Sequence, residues 1–188
     1  MIQFDEPTHT YTVGGVQYPS VTTILFDMGL IDTTWFTPEA CQRGTYVHQI
    51  IEWDQADELD YESVDLALLG YLNAWRQFVA DTGYVSLCSE YRMVNKAYRF
   101  AGTADQIGVL NKQRVIIDLK SGAVSPCTGL QLAGYEILYE ASTKRFSLQL
   151  HDNGKYSLKE YTDRNDRAVF LSAVALWWWK YNNIGKGK

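Results

Sequence analysis

The spacing of apolar residues changes period several times along the chain, and each change marks a predicted element. His9-Thr10-Tyr11-Thr12-Val13 and Val16-Gln17-Tyr18 read as strands joined by a Gly14-Gly15 turn, an N-terminal β-hairpin. Residues 21–28 follow Pro19-Ser20 as a short helix or a turn. Thr37-Pro38-Glu39 is a helix start: Thr can cap free N–H groups, Pro suits the first turn, and an acidic side chain favours the positive end of the dipole. That helix should run to about Ala56, with Val47, Ile50 and Ile51, joined by Tyr46 and Trp53, on its inner face. A second helix after Ser63 places Leu66, Leu69, Leu72, Trp75, Phe78 and Val79 at three- and four-residue intervals, with Gly83 as its C-terminal cap.

From Tyr84 the period shortens to that of strands. Residues 85–94 should pair with 98–110 across an Asn95-Lys96 turn, and residues 113–119 form a third strand. Its Val115-Ile116-Ile117 run predicts burial on both faces. Pro126 to about Glu140 reads as a helix with Leu130, Ala133, Ile137 and Leu138 inward. Residues 145–150 and 156–161 are strands around an Asn153-Gly154 turn. A last helix from Asp163 carries Val169, Phe170, Ala173, Leu176 and Trp177, with the stem of Lys180 lying along it. The order predicts an α/β fold, a central mixed β-sheet flanked by helices, as a single domain over residues 1–188.

Composition adds constraints. A chain of 188 residues that is 46% hydrophobic and 21% charged can bury a continuous core. Gly185-Lys186-Gly187-Lys188 reads as a frayed tail. Apolar runs are too short to span a membrane, and Met1-Ile2-Gln3-Phe4-Asp5-Glu6 lacks the pattern of a signal peptide, so the expected location is the cytoplasm. The net charge of −5, from 17 basic and 22 acidic residues, gives no general field for a polyanion. Carboxylates gathered around bound divalent cations would invert that potential locally. Cys41, Cys88 and Cys127 are scattered and form no CxxC pair, a poor basis for a zinc or iron–sulfur site.

The candidate chemistry lies in the strands. Asp105 sits mid-strand after Gly102-Thr103-Ala104, where acidic residues are depleted. Asp118 ends the apolar run, where an unpartnered carboxylate is costly to bury. Lys120 follows at i+2, on the same strand face as Asp118. Each residue alone has a plainer reading: an Asp118–Lys120 ion pair, a turn for Asp105, a solvated position for Glu90, a satisfied core histidine for His48. Arg43, shortly before His48, and Arg99, on the strand leading to Asp105, are candidate phosphate contacts, with solvated arginine as the alternative for each. Trp177-Trp178-Trp179 point in three directions about 100° apart, which suits packing or an oligomer contact better than base stacking. Trp35 and Phe36, just ahead of the His48 helix, are candidates for an aromatic wedge, and Asn153-Gly154 turn chemistry explains the possible metal pair His151-Asp152.

Taken in order, His48 in Arg43-Gly44-Thr45-Tyr46-Val47-His48, Glu90, Gly102-Thr103-Ala104-Asp105, Asp118-Leu119-Lys120 and Gln131-Leu132-Ala133-Gly134-Tyr135 resemble the PD-(D/E)XK nuclease superfamily. The pattern is most similar to its RecB-like branch, which includes phage exonucleases, and Tyr18-Pro19-Ser20-Val21-Thr22-Thr23-Ile24-Leu25 resembles the N-terminal segment of phage-encoded members. The resemblance implies a restriction-endonuclease-like core and a divalent-metal-dependent deoxyribonuclease that uses Mg2+ or Mn2+, with two ions. His48, Asp105, Asp118 and the Leu119 carbonyl would hold metal, Glu90 would help bind a second ion or orient its waters, and Lys120 would position the attacking water. Gln131 and Tyr135, on one helix face, would line the site and contact DNA. The second acidic position is often Glu in the superfamily and is Asp118 here, as in the RecB-like branch. No iron–sulfur cluster is expected, because the iron–sulfur branch of the superfamily uses four cysteines, whereas only three are present here and none follows Cys127.

The activity implied is exonucleolytic cleavage at DNA ends in recombination or DNA processing, by in-line attack of water to leave a 5′-phosphate and a 3′-hydroxyl. The alternatives are a non-cutting module of the same fold that binds DNA or protein, and a structure-selective endonuclease. DNA is the expected partner, together with a recombinase or a single-strand-binding protein. A homo-oligomer would supply processivity, and a phage-encoded chain would act in the cytoplasm of its bacterial host.

Overall fold

A computed structural model describes residues 2–5, 8, 10–34 and 36–185. The expectations placed on Met1, Glu6, His9, Trp35 and Lys186-Gly187-Lys188 lie outside the described residues. The chain begins with a small antiparallel sheet of β1 (Ile2–Asp5), β2 (Thr10–Val13) and β3 (Val16–Tyr18). The β2–β3 hairpin turns at Gly14 and Gly15, both at positive φ, as the sequence predicts. β1 was not anticipated. Its alternation of half-buried Ile2 and Phe4 with exposed Gln3 and Asp5 is a strand period too short to stand out from the sequence alone.

Helix α1 (Val21–Asp27) follows, with Ser20 Oγ accepting the Thr23 N–H at 2.8 Å. Helix α2 (Pro38–Gln55) starts where the sequence places it, Thr37 Oγ1 accepting the Ala40 N–H at 3.2 Å. Its inner face is Val47, Ile50 and Ile51, while Tyr46 and Trp53 are exposed. At 100° per residue both lie about 100° or more from a stripe centred on Val47, so they miss the core. Helix α3 (Leu66–Thr82) buries Tyr71, Leu72, Ala74, Trp75 and Phe78 and ends on Gly83 in the left-handed conformation, whereas Leu66, at its first position, is 84% exposed.

The central sheet has the order β4 (Val85–Asn95), β5 (Phe100–Leu110), β6 (Gln113–Lys120), β7 (Lys144–Leu150), β8 (Tyr156–Tyr161). β6 and β7 are parallel and every other neighbouring pair is antiparallel, so the sheet is mixed. A parallel pair needs a crossover, and helix α4 (Thr128–Tyr139) supplies it. Helix α5 (Asn165–Asn183) closes the chain. The fold is therefore α/β with a central mixed sheet flanked by helices and an N-terminal sheet in front of it.

The helices divide between the two faces of the sheet. On one, Val47, Ile51, Leu72, Trp75 and Phe78 pack with Val115, Ile117, Leu119 and Leu148. On the other, Val21, Ile24, Leu132 and Phe170 pack with Ala104, Ile107 and Ile116. Ile116 faces opposite to Val115 and Ile117, and all three are fully buried, which is why this strand reads as a continuous apolar run. The inner face of α5 is Phe170, Ala173 and Val174, with Val169 and Leu176 exposed, a rotation of the predicted stripe. In α4, Leu132 and Tyr135 join the predicted Ala133, Ile137 and Leu138, and Leu130 is half-buried. Among the described residues no helix is long and apolar enough to cross a membrane.

Two features of this packing set up the site. The β5–β6 ladder stops at Gln106–Ile117, yet β5 continues beside β4 and β6 continues beside β7 as far as Lys120–Gln149. The sheet forks there, and the next positions in register on its two arms are Asp105 and Asp118. Beside the fork, α4 lies close to α1 and α5 across Gly134, whose missing Cβ would sit 2.9 Å from the Phe170 ring and 3.0 Å from both Val21 methyls. Ala is the better helix former by about 1 kcal/mol. We nevertheless expect Gly134→Ala to lower stability by about 1–3 kcal/mol, because neither buried neighbour can yield without repacking. Denaturant melts check this, and a stabilised variant would show that α4 is not packed so tightly.

Candidate metal centre and cleft

Where the two strands part, backbone hydrogen bonds that a ladder would satisfy are left to side chains. Asp105 takes one of them, Oδ2 accepting the Leu119 N–H at 2.7 Å across the fork. Its other oxygen, Oδ1, lies 3.9 Å from His48 Nδ1. His48 comes from the middle of α2, one residue past fully buried Val47, and its Nδ1 is 3.2 Å from Glu90 Oε1 on β4. His48, Glu90 and Asp105 thus offer three ligand atoms all within 4.8 Å of one another, a group that could hold a metal ion.

Glu90 reaches this position with its backbone at φ 45°, in the left-handed region that a non-glycine residue rarely enters. Its neighbours Ser89 and Tyr91 pair regularly with Gln106 and Ala104, so the departure is confined to the residue facing Asp105. Such a conformation costs on the order of 1–3 kcal/mol, and outliers of this kind gather at functional sites.

Asp118 is 1% exposed. Its Oδ2 is 2.7 Å from Lys120 Nζ, an ion pair rather than a well-aligned hydrogen bond, and Oδ1 has no hydrogen-bond partner among the described residues. Lys120 Nζ also donates to Gln131 Oε1 at 3.5 Å, and Gln131 Nε2 donates to the Tyr135 hydroxyl at 3.0 Å. The i, i+4 spacing on α4 sets the last contact, and Gly102 leaves room for it, since a Cβ there would sit 3.1 Å from the Tyr135 ring.

Burial and charge act against each other here. Burial pushes the Asp118 carboxyl up to about 6, with Lys120 opposing. Burial likewise raises Asp105, with His48 opposing. For Lys120, burial disfavours the ammonium but Asp118 and Asp105 outweigh it, so the group is raised. For His48, burial favours the neutral ring, yet Asp105 and Glu90 together raise it to about 9. At neutral pH the site therefore sets an imidazolium and the Lys120 ammonium close to the ionised Asp118 carboxylate.

These residues line a cleft of about 490 Å³. His48, Glu90, Asp105, Asp118, Leu119, Lys120, Gln131 and Tyr135, proposed from the sequence, all border it. The other candidates lie elsewhere. Arg43 is half-buried beside Gly122, just past Lys120, and its buried Nε has no hydrogen-bond partner among the described residues. Arg99 is in the β4–β5 turn, its guanidinium 3.8 Å from the Trp178 ring centroid, six residues from Asp105 along β5. Trp177 Nε1 donates to Asp27 and Trp178 Nε1 to the Arg99 carbonyl, so these tryptophans fasten α5 to α1 and to that turn. Phe36 is exposed and does not border the cleft, and His151 pairs with Ser157 at the β7–β8 hairpin.

Sequence reasoning missed Phe4, Tyr11, Glu52, Arg92 and Thr103, which also line the cleft. Glu52 was within reach, being four residues after His48 on the same helix face. The others depend on how the N-terminal sheet docks.

No family model matches the chain, and no curated protein matches it. Among solved structures, LHK-Exo in complex with dAMP aligns over 88% of this chain and 88% of its own, at 13% identity and a TM-score of 0.48. SSO0001 aligns over 89% and 87%, at 14% identity and a TM-score of 0.38. Neither superposition is close enough to carry an argument about this chain, so the functional reading rests on the residues of the cleft.

The raised His48 has a measurable consequence. A group whose folded pKa exceeds its unfolded value stabilises fully below the unfolded value and loses that contribution as pH rises through the folded one. In the presence of chelator the protein should lose stability between pH 6.5 and about 9, and His48→Gln should flatten that decline. Thermal melts across this range test it; an unaltered slope in the variant would show that His48 is not held as the imidazolium.

Proposed function

We propose that this protein is a divalent-metal-dependent deoxyribonuclease of the PD-(D/E)XK type, acting as an exonuclease at DNA ends. One observation carries the reading: buried Asp118, whose Oδ1 has no hydrogen-bond partner among the described residues, stands beside the Lys120 ammonium at the fork that also holds Asp105, Glu90 and His48. An orphan carboxylate oxygen in a buried position is costly unless something positive meets it. Carboxylate oxygens and one imidazole nitrogen are the donor set of a hard to borderline divalent cation, and they suit Mg2+ or Mn2+.

In this reading His48, Asp105, Asp118 and the Leu119 carbonyl would hold the ion, with Glu90 at its edge or on a second ion. A bound divalent cation supplies Lewis-acid polarisation of a phosphoryl oxygen and lowers the pKa of water. The chain's own groups do the rest. Lys120, held between Asp118 and Gln131, keeps its proton and is placed to orient the attacking water and to stabilise the charge growing on phosphate. Asp105 accepts the Leu119 N–H and so fixes the spacing of the two strand arms. Gln131 and Tyr135 hold Lys120 from the α4 side and line the floor of the cleft against DNA. Arg43 and Arg99 lie outside it as phosphate contacts of a longer substrate.

A second reading, a nuclease-fold module that binds without cutting, draws support from the net charge of −5. It leaves the Asp118–Lys120 pair at the fork without a purpose. Incubation of end-labelled linear DNA with Mg2+ or Mn2+ decides between them. Wild-type protein should release nucleotides from the ends, and Asp118→Ala and Lys120→Ala should each lower the rate by about 100-fold or more. Wild-type protein that leaves DNA intact, or cleavage undiminished in both variants, would overturn the assignment. Closed-circular DNA in parallel separates an exonuclease from a structure-selective endonuclease.

A further inference from the structure

The cleft has a wall that no step of the proposed cleavage uses. Phe4 and Tyr11 of the N-terminal sheet line it together with Arg92 of β4. Arg92 and Thr103 are direct cross-strand partners on β4 and β5, two residues from Glu90 and Asp105 respectively. The N-terminal sheet closes over this pair. Tyr11, 3% exposed, is hydrogen-bonded through its hydroxyl to Thr103 Oγ1 at 2.6 Å. The Phe4 ring lies 4.7 Å from the Tyr11 ring, and the Arg92 guanidinium lies 5.0 Å from the Phe4 centroid. The sheet is also fastened at its base, where the Ala101 N–H donates to the Pro19 carbonyl at 2.9 Å.

Arg92 and Lys120 are the Lys or Arg side chains that line the cleft among the described residues. Lys120 is engaged by Asp118, whereas Arg92 forms no ion pair with any described residue. Its guanidinium lies over an aromatic face instead, a contact that uses none of its N–H donors. A planar cation on an aromatic support, about 7 Å along the strand from the carboxylates, suits a nucleotide unit beside the one being cut: phosphate to the fork of N–H groups, base against the flat surface.

Size points the same way. A cleft of about 490 Å³ is in the range of small-ligand pockets, the scale of a nucleotide unit rather than of a duplex. The acidic charge of the chain leaves little general attraction for phosphates, so binding must draw on stacking and on a few placed cations. We propose that Arg92, seated on Phe4, anchors the substrate backbone next to the scissile phosphate, and that the N-terminal sheet makes the cleft a site for one unpaired DNA strand. This rests on the reading of the fork as a DNA-cutting centre and adds to it the strand form that is bound and the residue that grips it.

The test is binding, read separately from cleavage. Fluorescein-labelled oligo(dT) and a blunt duplex of equal length are titrated by anisotropy in Ca2+ over a range of salt. Single strand should bind about tenfold or more tightly than duplex. Arg92→Ala should weaken single-strand binding about tenfold and reduce the slope of log K against log salt by about 0.7, the loss of one phosphate contact. Arg92→Lys should restore the slope, and Phe4→Leu should weaken binding while leaving the slope in place. Arg92 is exposed, so these variants are expected to fold, and their melting curves verify it. Equal affinity for the two DNAs, an unchanged slope in Arg92→Ala, or no measurable binding of either DNA would overturn the proposal. Wild-type protein that shows the predicted slopes but cuts neither DNA in Mg2+ would instead overturn the nuclease reading alone.

Discussion

Two neighbouring strands separate halfway along their length, and a carboxylate is buried at the point of separation. That arrangement is the constraint on which the other parts of the structure depend. Isolated burial of a charge in a protein interior carries a penalty of several kcal/mol, even after relaxation. Among the described residues Asp118 has one ion-pair partner, the Lys120 ammonium at 2.7 Å, and its Oδ1 accepts no hydrogen bond. Asp105 meets half of its demand from the Leu119 N–H. The remaining surplus of negative charge, to which Glu90 adds from a left-handed backbone conformation, explains why His48 holds its proton. A cation would relieve all of these tensions together.

The scaffold keeps the fork from collapsing. α2 and α3 cover one face of the sheet and α1, α4 and α5 the other, so β5 and β6 are each anchored by apolar contacts on both sides of the gap. Pro19–Ser20 meets the free edge of β5 at Ala101, where β6 has already turned away. Gly102 and Gly134 give α4 the close approach that brings Gln131 and Tyr135 to the site. The acidic net charge of the chain also makes sense in this setting, since carboxylates concentrated at a cation site do not oppose a polyanion once the site is loaded.

Much of this was legible in the sequence, for physical reasons that differ from element to element. Val115-Ile116-Ile117 announced a strand buried on both faces, and an Asp directly after such a run had to be exceptional. Thr37-Pro38-Glu39 and Gly83 marked helix ends because capping is local chemistry. The two-residue alternation on β6 placed Asp118 and Lys120 on one face without any tertiary knowledge. What stayed hidden depended on long-range docking. β1 is four residues long, and its strand character comes from pairing with β2. Tyr11 and Arg92 are 81 positions apart, and no local pattern brings them to one wall. Arg99 looked adjacent to the site because it precedes Asp105 on one strand, but the strand's own length carries it to the Trp178 end. The orientation of α5 was misjudged because Trp177 and Trp178 are polar-tipped aromatics that bridge to α1 and to the β4–β5 turn at the surface.

The central claim is that the fork formed by His48, Glu90, Asp105 and Asp118 is a divalent-cation site. Isothermal titration of metal-free protein with Mn2+, in two buffers of different ionisation enthalpy, measures it most directly. The account predicts saturable binding accompanied by proton release, from the raised His48 and carboxyl groups, and loss of that binding in Asp105→Asn. Absence of binding in the wild-type protein, or undiminished binding in Asp105→Asn, would contradict it.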